Sequence, residues 1–206
     1  MKIEKVKETL IKISEKINEE KDFLTALDNE IADGDHGTNL ARGFSAVEEM
    51  LKTSTDTDLG LIFKNIGMKL VATVGGASGP LYGTAFLRCA NVLNGKQELT
   101  AQDFIACLQA AIDGVQFRGK AVKGEKTMLD SMIPACDEIK KTYDETNDIK
   151  QALSNGVKAA YDGIEFTKTI IATKGRASYI GERSIGHQDP GATSFTYILE
   201  TIYKEI

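Results

Sequence analysis

Apolar residues recur at steps of three and four along nearly the whole chain, the spacing that turns one face of an α-helix toward a core. Ile3, Val6, Leu10, Ile13 and Ile17 mark a first helix, and Leu40, Phe44, Val47 and Leu51 a second. Leu59, Ile62, Ile66 and Leu70 mark a third, and Leu81, Ala85, Cys89 and Val92 a fourth. Ile105, Leu108, Ile112 and Val115 mark a fifth, opened by Thr100 and Asp103 at capping-box spacing. Leu129, Met132, Ile133, Cys136 and Ile139 give a sixth, Ile149, Leu153, Val157, Ala160 and Ile164 a seventh, and Phe195, Ile198, Leu199 and Ile202 an eighth. No alternating strand pattern competes, and the β-branched run Thr169 to Thr173 reads as the buried end of the seventh helix. Pro80 and Pro190 fall where helices begin, a position proline tolerates, whereas Pro134 inside the sixth predicts a kink or a stagger. With no linker, repeat or low-complexity tract, the pattern predicts an all-α fold. It is a single domain over residues 1–206, an antiparallel bundle or barrel of about eight helices.

Glycine is concentrated between these helices: at Gly34 and Gly37, from Gly75 to Gly83, from Gly114 to Gly124, and from Gly175 to Gly191. In an up-and-down bundle alternate loops share an end. The four glycine-rich segments follow the first, third, fifth and seventh helical regions, so that parity predicts one common end for all four.

The net charge of −5 disfavours nucleic acid or an anionic membrane as a general partner. The absence of Trp, with few other aromatic residues, argues against a base-stacking platform. Cys89, Cys107 and Cys136 are scattered and form no Cys-x-x-Cys motif, which suits reduced core thiols and a cytoplasmic setting. The N-terminus reads as no signal peptide, and no apolar run has the length of a membrane span.

The chemistry concentrates in Asp28-Asn29-Glu30-Ile31-Ala32-Asp33-Gly34-Asp35-His36-Gly37-Thr38-Asn39. Asp28, Asp33 and Asp35 lie too close together to coexist as bare charges without cost, and a hard cation relieves that repulsion. EF-hand spacing fails, because Ala32 and Asn39 stand where that loop needs a ligand and its closing Glu. The Cys and His ligands that zinc prefers are missing. Mg²⁺ is favoured, and because Mg²⁺ commonly shares its coordination with substrate phosphates, a phosphorylated ligand follows. Asp28 stands at loop-closing reach from the other two rather than at helix-face spacing. A solvated acidic turn is the plainer alternative. His36, Gly37, Thr38 and Asn39 lead into the second helix, whose free N–H groups suit a phosphate, although capping alone would use the same residues.

Gly75-Gly76-Ala77-Ser78-Gly79-Pro80 is a second anion-binding design at a helix start, or a set of small residues for close packing. Gly114 to Ala121 nearly matches a P-loop, but Ala121 replaces the Ser or Thr that holds Mg²⁺ and no strand precedes it, so a P-loop is rejected. Met128 offers an adaptable wall for a purine, or is core. In the long polar segment Lys174 to Gly191, Arg176 or Arg183 suits a transferring phosphoryl group, or either is a surface charge. Asp189-Pro190-Gly191 opens a third helix at the same end. No catalytic Ser-His-Asp set or reactive thiol stands out.

Taken in order, Asp28-x4-Asp33-Gly34-Asp35-His36-Gly37-Thr38-Asn39, Gly75 to Thr84, Lys126-Thr127-Met128-Leu129-Asp130, Lys174 to Tyr179 and Asp189-Pro190-Gly191-Ala192 span the chain. The whole closely resembles the nucleotide-binding L subunits of bacterial dihydroxyacetone (glycerone) kinases. The resemblance implies an eight-helix antiparallel barrel with ADP and two Mg²⁺ ions at one end. It implies that Asp28, Asp33 and Asp35 hold the metals and that His36, Gly37, Thr38, Asn39, Ala77 and Ser78 meet the phosphates. It places Gly119, Met128, Asp189, Pro190 and Gly191 around the nucleotide and Arg176 near its phosphates. It further implies phosphotransferase activity, in which bound ADP is phosphorylated by a phosphocarrier M subunit and the ATP formed serves a K subunit holding dihydroxyacetone. The other expectations in view are an ATP-exchanging kinase component, for dihydroxyacetone or another substrate, and a nucleotide-loaded module that binds a transcription regulator.

Overall fold

The computed structural model describes residues 1–206. The chain forms nine α-helices and one 3-10 segment: α1 (Ile3–Glu19), α2 (Lys21–Ile31), α3 (His36–Thr53), α4 (Leu59–Thr73), α5 (Ser78–Val92), α6 (Ala101–Gly119), α7 (Leu129–Thr146), α8 (Ile149–Thr169), the 3-10 segment Arg176–Ser184, and α9 (Pro190–Glu205). The only β feature is an isolated bridge between Lys2 and Glu98. No helix is long and apolar enough to cross a membrane. The all-α expectation holds.

Packing divides the chain into two compact units, one comprising residues 1–18 and 39–120, the other residues 19–38 and 121–206. In the first unit the apolar stripes meet as their spacing requires. Val6, Leu10 and Ile13 of α1, Leu40, Phe44 and Val47 of α3, and Leu59, Ile62, Ile66 and Leu70 of α4 are all buried. Phe44 meets the edge of Tyr82 at a centroid distance of 6.2 Å. The predicted capping box opens α6: Thr100 Oγ1 accepts from Asp103 N and the Asp103 carboxylate accepts from Thr100 N.

The second unit is built on the hairpin of α7 and α8, joined through Asn147 and Asp148, with α9 and α2 packed on it. Met132, Cys136 and Ile139 of α7, Leu153, Ala160 and Ile164 of α8, Leu199 of α9 and Leu24 of α2 are buried in this unit. A smaller cluster joins Ile31 to Ala172 and Ala177, with Ile180 against it, and seats the 3-10 segment on the end of α2.

Two expectations are corrected here. First, a separate helix, α2, follows α1 after the single residue Glu20, so the helix count exceeds eight. Asp28 lies within that helix, not in a loop. Leu24, Asp28 and Ile31 are its buried residues, which is helix-face spacing. Second, the run Thr169 to Thr173 is not the end of a helix. α8 stops at Thr169, Ile170 is extended, and Ile171 is exposed while Ala172 is buried. Pro134 lies inside α7, which runs from Leu129 to Thr146. Its missing N–H leaves the Asp130 carbonyl without the usual helical donor. α8 comes up against that carbonyl at Gly163, where a Cβ would also lie 2.8 Å from Ser131 Cα.

That close approach makes Gly163 a sensitive position. Gly163→Ala gains helix propensity but must push α8 away from α7. We expect a net loss of roughly 2 kcal/mol, as for other overpacked cores, measured by urea unfolding. An unchanged or raised midpoint would show that the helices separate at no cost.

Candidate metal and phosphate site

Asp28 is carried into the second unit by the buried face of α2. Its Oδ2 accepts from the backbone N of Asp35 at 2.9 Å and of His36 at 3.2 Å. Those are among the N–H groups that the start of α3 leaves without helical acceptors. The turn between α2 and α3 is tight. Gly34 takes φ +73°, a left-handed conformation that L-residues seldom adopt, and a side chain there would strike Asn29. This geometry brings one carboxylate oxygen each from Asp28, Asp33 and Asp35 within 4.8 Å of one another. The donor set is all oxygen and all anionic, the chemistry of a hard divalent cation. The residues therefore fit Mg²⁺.

Asp28 is buried, Asp33 exposed and Asp35 intermediate. Burial pushes the Asp28 carboxyl above the usual carboxylate range, the two N–H groups pull it down, and the charges of Asp33 and Asp35 push it up again. Arg176 partly answers this crowding: its guanidinium lies 3.1 Å from Asp33 Oδ2. Of the two arginines that the sequence offered, Arg176 is the one at the cluster. Thr38 Oγ1 donates to the Asp35 carbonyl at 3.0 Å, tightening the first turn of α3 from its exposed side.

His36 is buried and its Nε2 lies 3.0 Å from Ser194 Oγ on α9. The ring also hydrogen-bonds Pro190 through the backbone, and burial pushes its pKa down to about 4. The imidazole is thus neutral near pH 7 and ties α3 to the first turn of α9. At that helix start, Asp189 Oδ2 accepts from Ala192 N at 2.7 Å, and Asp189 N donates to Thr167 Oγ1 at 3.0 Å. Burial pushes the Asp189 carboxyl up to about 7. The charges of Asp130 and Asp28 act in the same direction, and the Ala192 N–H and Lys126 oppose it. Met128 is buried, and a Cβ on Gly191 would lie 3.4 Å from Met128 Cβ, so the Met128 and Asp189–Gly191 segments are neighbours.

Within the second unit, then, the segments after α2, before α7 and before α9 are brought together. Arg176 meets Asp33, His187 Nδ1 lies 3.7 Å from Glu30 Oε2, and Thr173 N donates to the Glu125 carbonyl at 3.3 Å. The remaining candidates, Asn39, Ala77, Ser78 and Gly119, belong to the first unit. There Arg42 donates to Asn39 Oδ1 at 2.6 Å and to the Thr73 carbonyl at 2.9 Å, and Gly75 backs onto the Asn39 side chain. Ala77 is exposed at the start of α5, Ser78 half-buried, and Gly119 exposed at the end of α6. Sequence reasoning gave no part to Arg42, Ser194 or Thr167, and no individual role to Lys126 or Asp130. Ser194, Thr167 and Lys126 act through partners distant in the chain, whereas Asp130 and Arg42 also have partners within six residues.

The sequence matches the DAK2 domain family over residues 30–204. It is 45% identical over 183 residues to "PEP-dependent dihydroxyacetone kinase, ADP-binding subunit DhaL" of Escherichia coli (strain K12), covering 89% of this chain and 87% of that one. It is 42% identical over 199 residues to "PTS-dependent dihydroxyacetone kinase, ADP-binding subunit DhaL" of Lactococcus lactis subsp. lactis (strain IL1403), covering 97% and 95%. Its fold resembles that of the dihydroxyacetone kinase from C. freundii in complex with AMP-PNP and Mg²⁺. The TM-score is 0.75 at 22% identity, over 98% of this chain but 34% of that much longer one.

The two buried titratable groups on the α3–α9 junction predict opposite pH slopes. The folded pKa of Asp189 lies above its unfolded value. Its contribution is therefore fully present below about 4 and is lost as pH rises through about 7. The folded pKa of His36 is depressed, so its contribution appears as pH rises from about 4 to about 6.5. The slopes offset each other in the wild type. Asp189→Asn keeps a cap acceptor but removes one slope. The difference in Tm, variant minus wild type, should therefore grow from pH 4 to pH 7 in metal-free buffer. A difference independent of pH would show that Asp189 is not the titrating group.

Proposed function

The chain belongs to the DAK2 domain family, and on that premise we propose that it is the ADP-binding subunit of a dihydroxyacetone kinase, a phosphotransferase whose nucleotide stays bound as a coenzyme. The observation that carries this reading is the convergence of Asp28, Asp33 and Asp35 at the start of α3, an oxygen-only site built against a helix N-terminus. High identity over nearly the full length to subunits named as ADP-binding supports it.

In this proposal Asp28, Asp33 and Asp35 hold two Mg²⁺ ions, which neutralise the charge of the diphosphate and of the transferring phosphoryl group. Thr38 and Gly37, at the first turn of α3, face the phosphates. The buried, neutral His36 ring positions α3 against Pro190 and Gly191. Arg176 begins on Asp33 and serves the phosphoryl oxygens once cations hold that carboxylate, a task for which its fixed charge is suited. Met128, Asp189, Pro190 and Gly191 line the nucleoside end. Asn39, Ala77, Ser78 and Gly119, which the resemblance also assigns to the nucleotide, belong to the first unit.

The bound nucleotide supplies a phosphoryl relay: a phosphocarrier M subunit, charged from phosphoenolpyruvate, phosphorylates ADP, and dihydroxyacetone on a K subunit takes the γ-phosphoryl group. The chain's own residues do not bond covalently to phosphorus. They position, neutralise and exclude water, which is most of what this chemistry asks of a protein.

Native mass spectrometry of the purified chain should find ADP and Mg²⁺ retained through gel filtration. Asp33→Ala should release both, abolish the Mg²⁺-dependent rise in Tm, and lower phosphoryl transfer by about a hundredfold or more. Rapid exchange of the nucleotide with free ATP would favour an ATP-consuming kinase component instead. Retention of a regulator partner by a transfer-dead Asp33→Ala would favour a nucleotide-loaded interaction module.

A further inference from the structure

Lys126 is the most deeply buried cation of the molecule, 1% exposed, and sits at φ +60°. Burial on this scale is costly for an ammonium group unless all three of its donors are satisfied. They are satisfied by main-chain carbonyls. Lys126 Nζ makes short hydrogen bonds to the carbonyls of Thr167 and His187 and a longer one, 3.5 Å, to that of Ile170. Thr167 and Ile170 are at the C-terminal end of α8, where carbonyls lack helical donors and the helix dipole favours a cation. His187 lies three residues before Pro190, the start of α9.

The acidic groups facing this ammonium are Asp189 and Asp130, whose charges favour its protonated form while burial disfavours it. Asp130, itself fully buried, fixes the backbone on either side of Lys126, with Oδ1 accepting from Gly124 N and Oδ2 from Thr127 N at 2.8 Å. Thr167 completes the link. Its carbonyl accepts from Lys126 and its Oγ1 accepts from Asp189 N. One side chain therefore sets the spacing between two segments, the one that presents Met128 and the one that presents Asp189 to Gly191.

We propose that Lys126 is a positioning residue for the nucleoside end of the nucleotide site, clamping the Met128 segment to the Asp189–Gly191 helix start through the end of α8. The inference rests on the nucleotide reading given above and adds a division of labour within it. The carboxylate cluster on α2 and α3 holds the diphosphate and its cations, and the Lys126 clamp holds the walls around base and ribose. Lys126 touches neither nucleotide nor metal.

The division gives the test. Chelator-stripped full-length protein is titrated with Mg²⁺-ADP and, separately, with Mg²⁺ and inorganic diphosphate. Lys126→Met keeps the length of the side chain but leaves its three carbonyls without their donor. It should bind Mg²⁺-ADP about tenfold weaker or worse, while Mg²⁺-diphosphate affinity stays within about twofold of wild type. If Lys126→Met does not fold, Thr167→Val decides in its place. It keeps the Thr167 carbonyl and loses the hydroxyl that accepts from Asp189 N and donates to the Ile164 carbonyl within α8, and the same split is expected. Equal loss of both ligands in a folded variant would make the residue merely structural, and undiminished ADP binding would remove the clamp. Either result overturns the inference while leaving the nucleotide reading intact. A wild type that binds neither ligand would instead overturn that reading, and the clamp with it.

Discussion

The Asp28 carboxylate is the constraint on which the site turns. A helix start presents N–H groups that must find acceptors, and at α3 two of them, Asp35 and His36, find the same oxygen of a residue on another helix. That bond holds the turn between α2 and the start of α3. It also brings Asp33 and Asp35 into a small space with Asp28, whose pKa is raised first by burial and further by those two charges, and it leaves the trio short of positive charge. A divalent cation resolves both problems. Leu24 and Ile31 anchor α2 on either side of Asp28, and Arg176 lies over Asp33.

The start of α9 is held by different means. Here the acceptor is its own Asp189, buried and poised near neutrality, and the link to α3 is the uncharged ring of His36. A charged imidazolium at that place would oppose a cation bound a few residues away. Burial keeps the ring neutral, so the junction adds rigidity without adding charge. Lys126 supplies the one internal cation on this side, and it is directed at carbonyls. The ammonium is thus sealed among backbone oxygens with the buried Asp130 and Asp189 facing it, while Asp33 and Asp35 of the acidic cluster remain accessible.

Much of this was legible beforehand. The helical stripes of α3 to α9 follow the apolar spacing, the Thr100 cap sits where its side chain demands, and the three aspartates converge as their sequence proximity suggested. The errors have physical causes. α2 was blended into the N-terminal helical region because its break from α1 is a single residue and its inward face carries Asp28 between Leu24 and Ile31, which interrupts the hydrophobic stripe. Thr169 to Thr173 looked like buried helix because β-branched residues suit any interior. The chain there is instead extended, with Ala172 pinned by Ser184 and by the small cluster around Ile31. His36 read as a phosphate donor by adjacency, but Ser194, far along the chain, turns its ring inward.

The sequence by itself determined the helical class, the location of the acidic cluster and its preference for a hard cation, since these depend on periodicity and on residue chemistry over short spans. Only the tertiary structure decided which arginine meets the cluster, that His36 is neutral, that Asp189 titrates near 7, and that a buried Lys126 joins three segments. Those properties arise from desolvation and from partners tens to more than a hundred residues away, and neither quantity exists until the chain has packed.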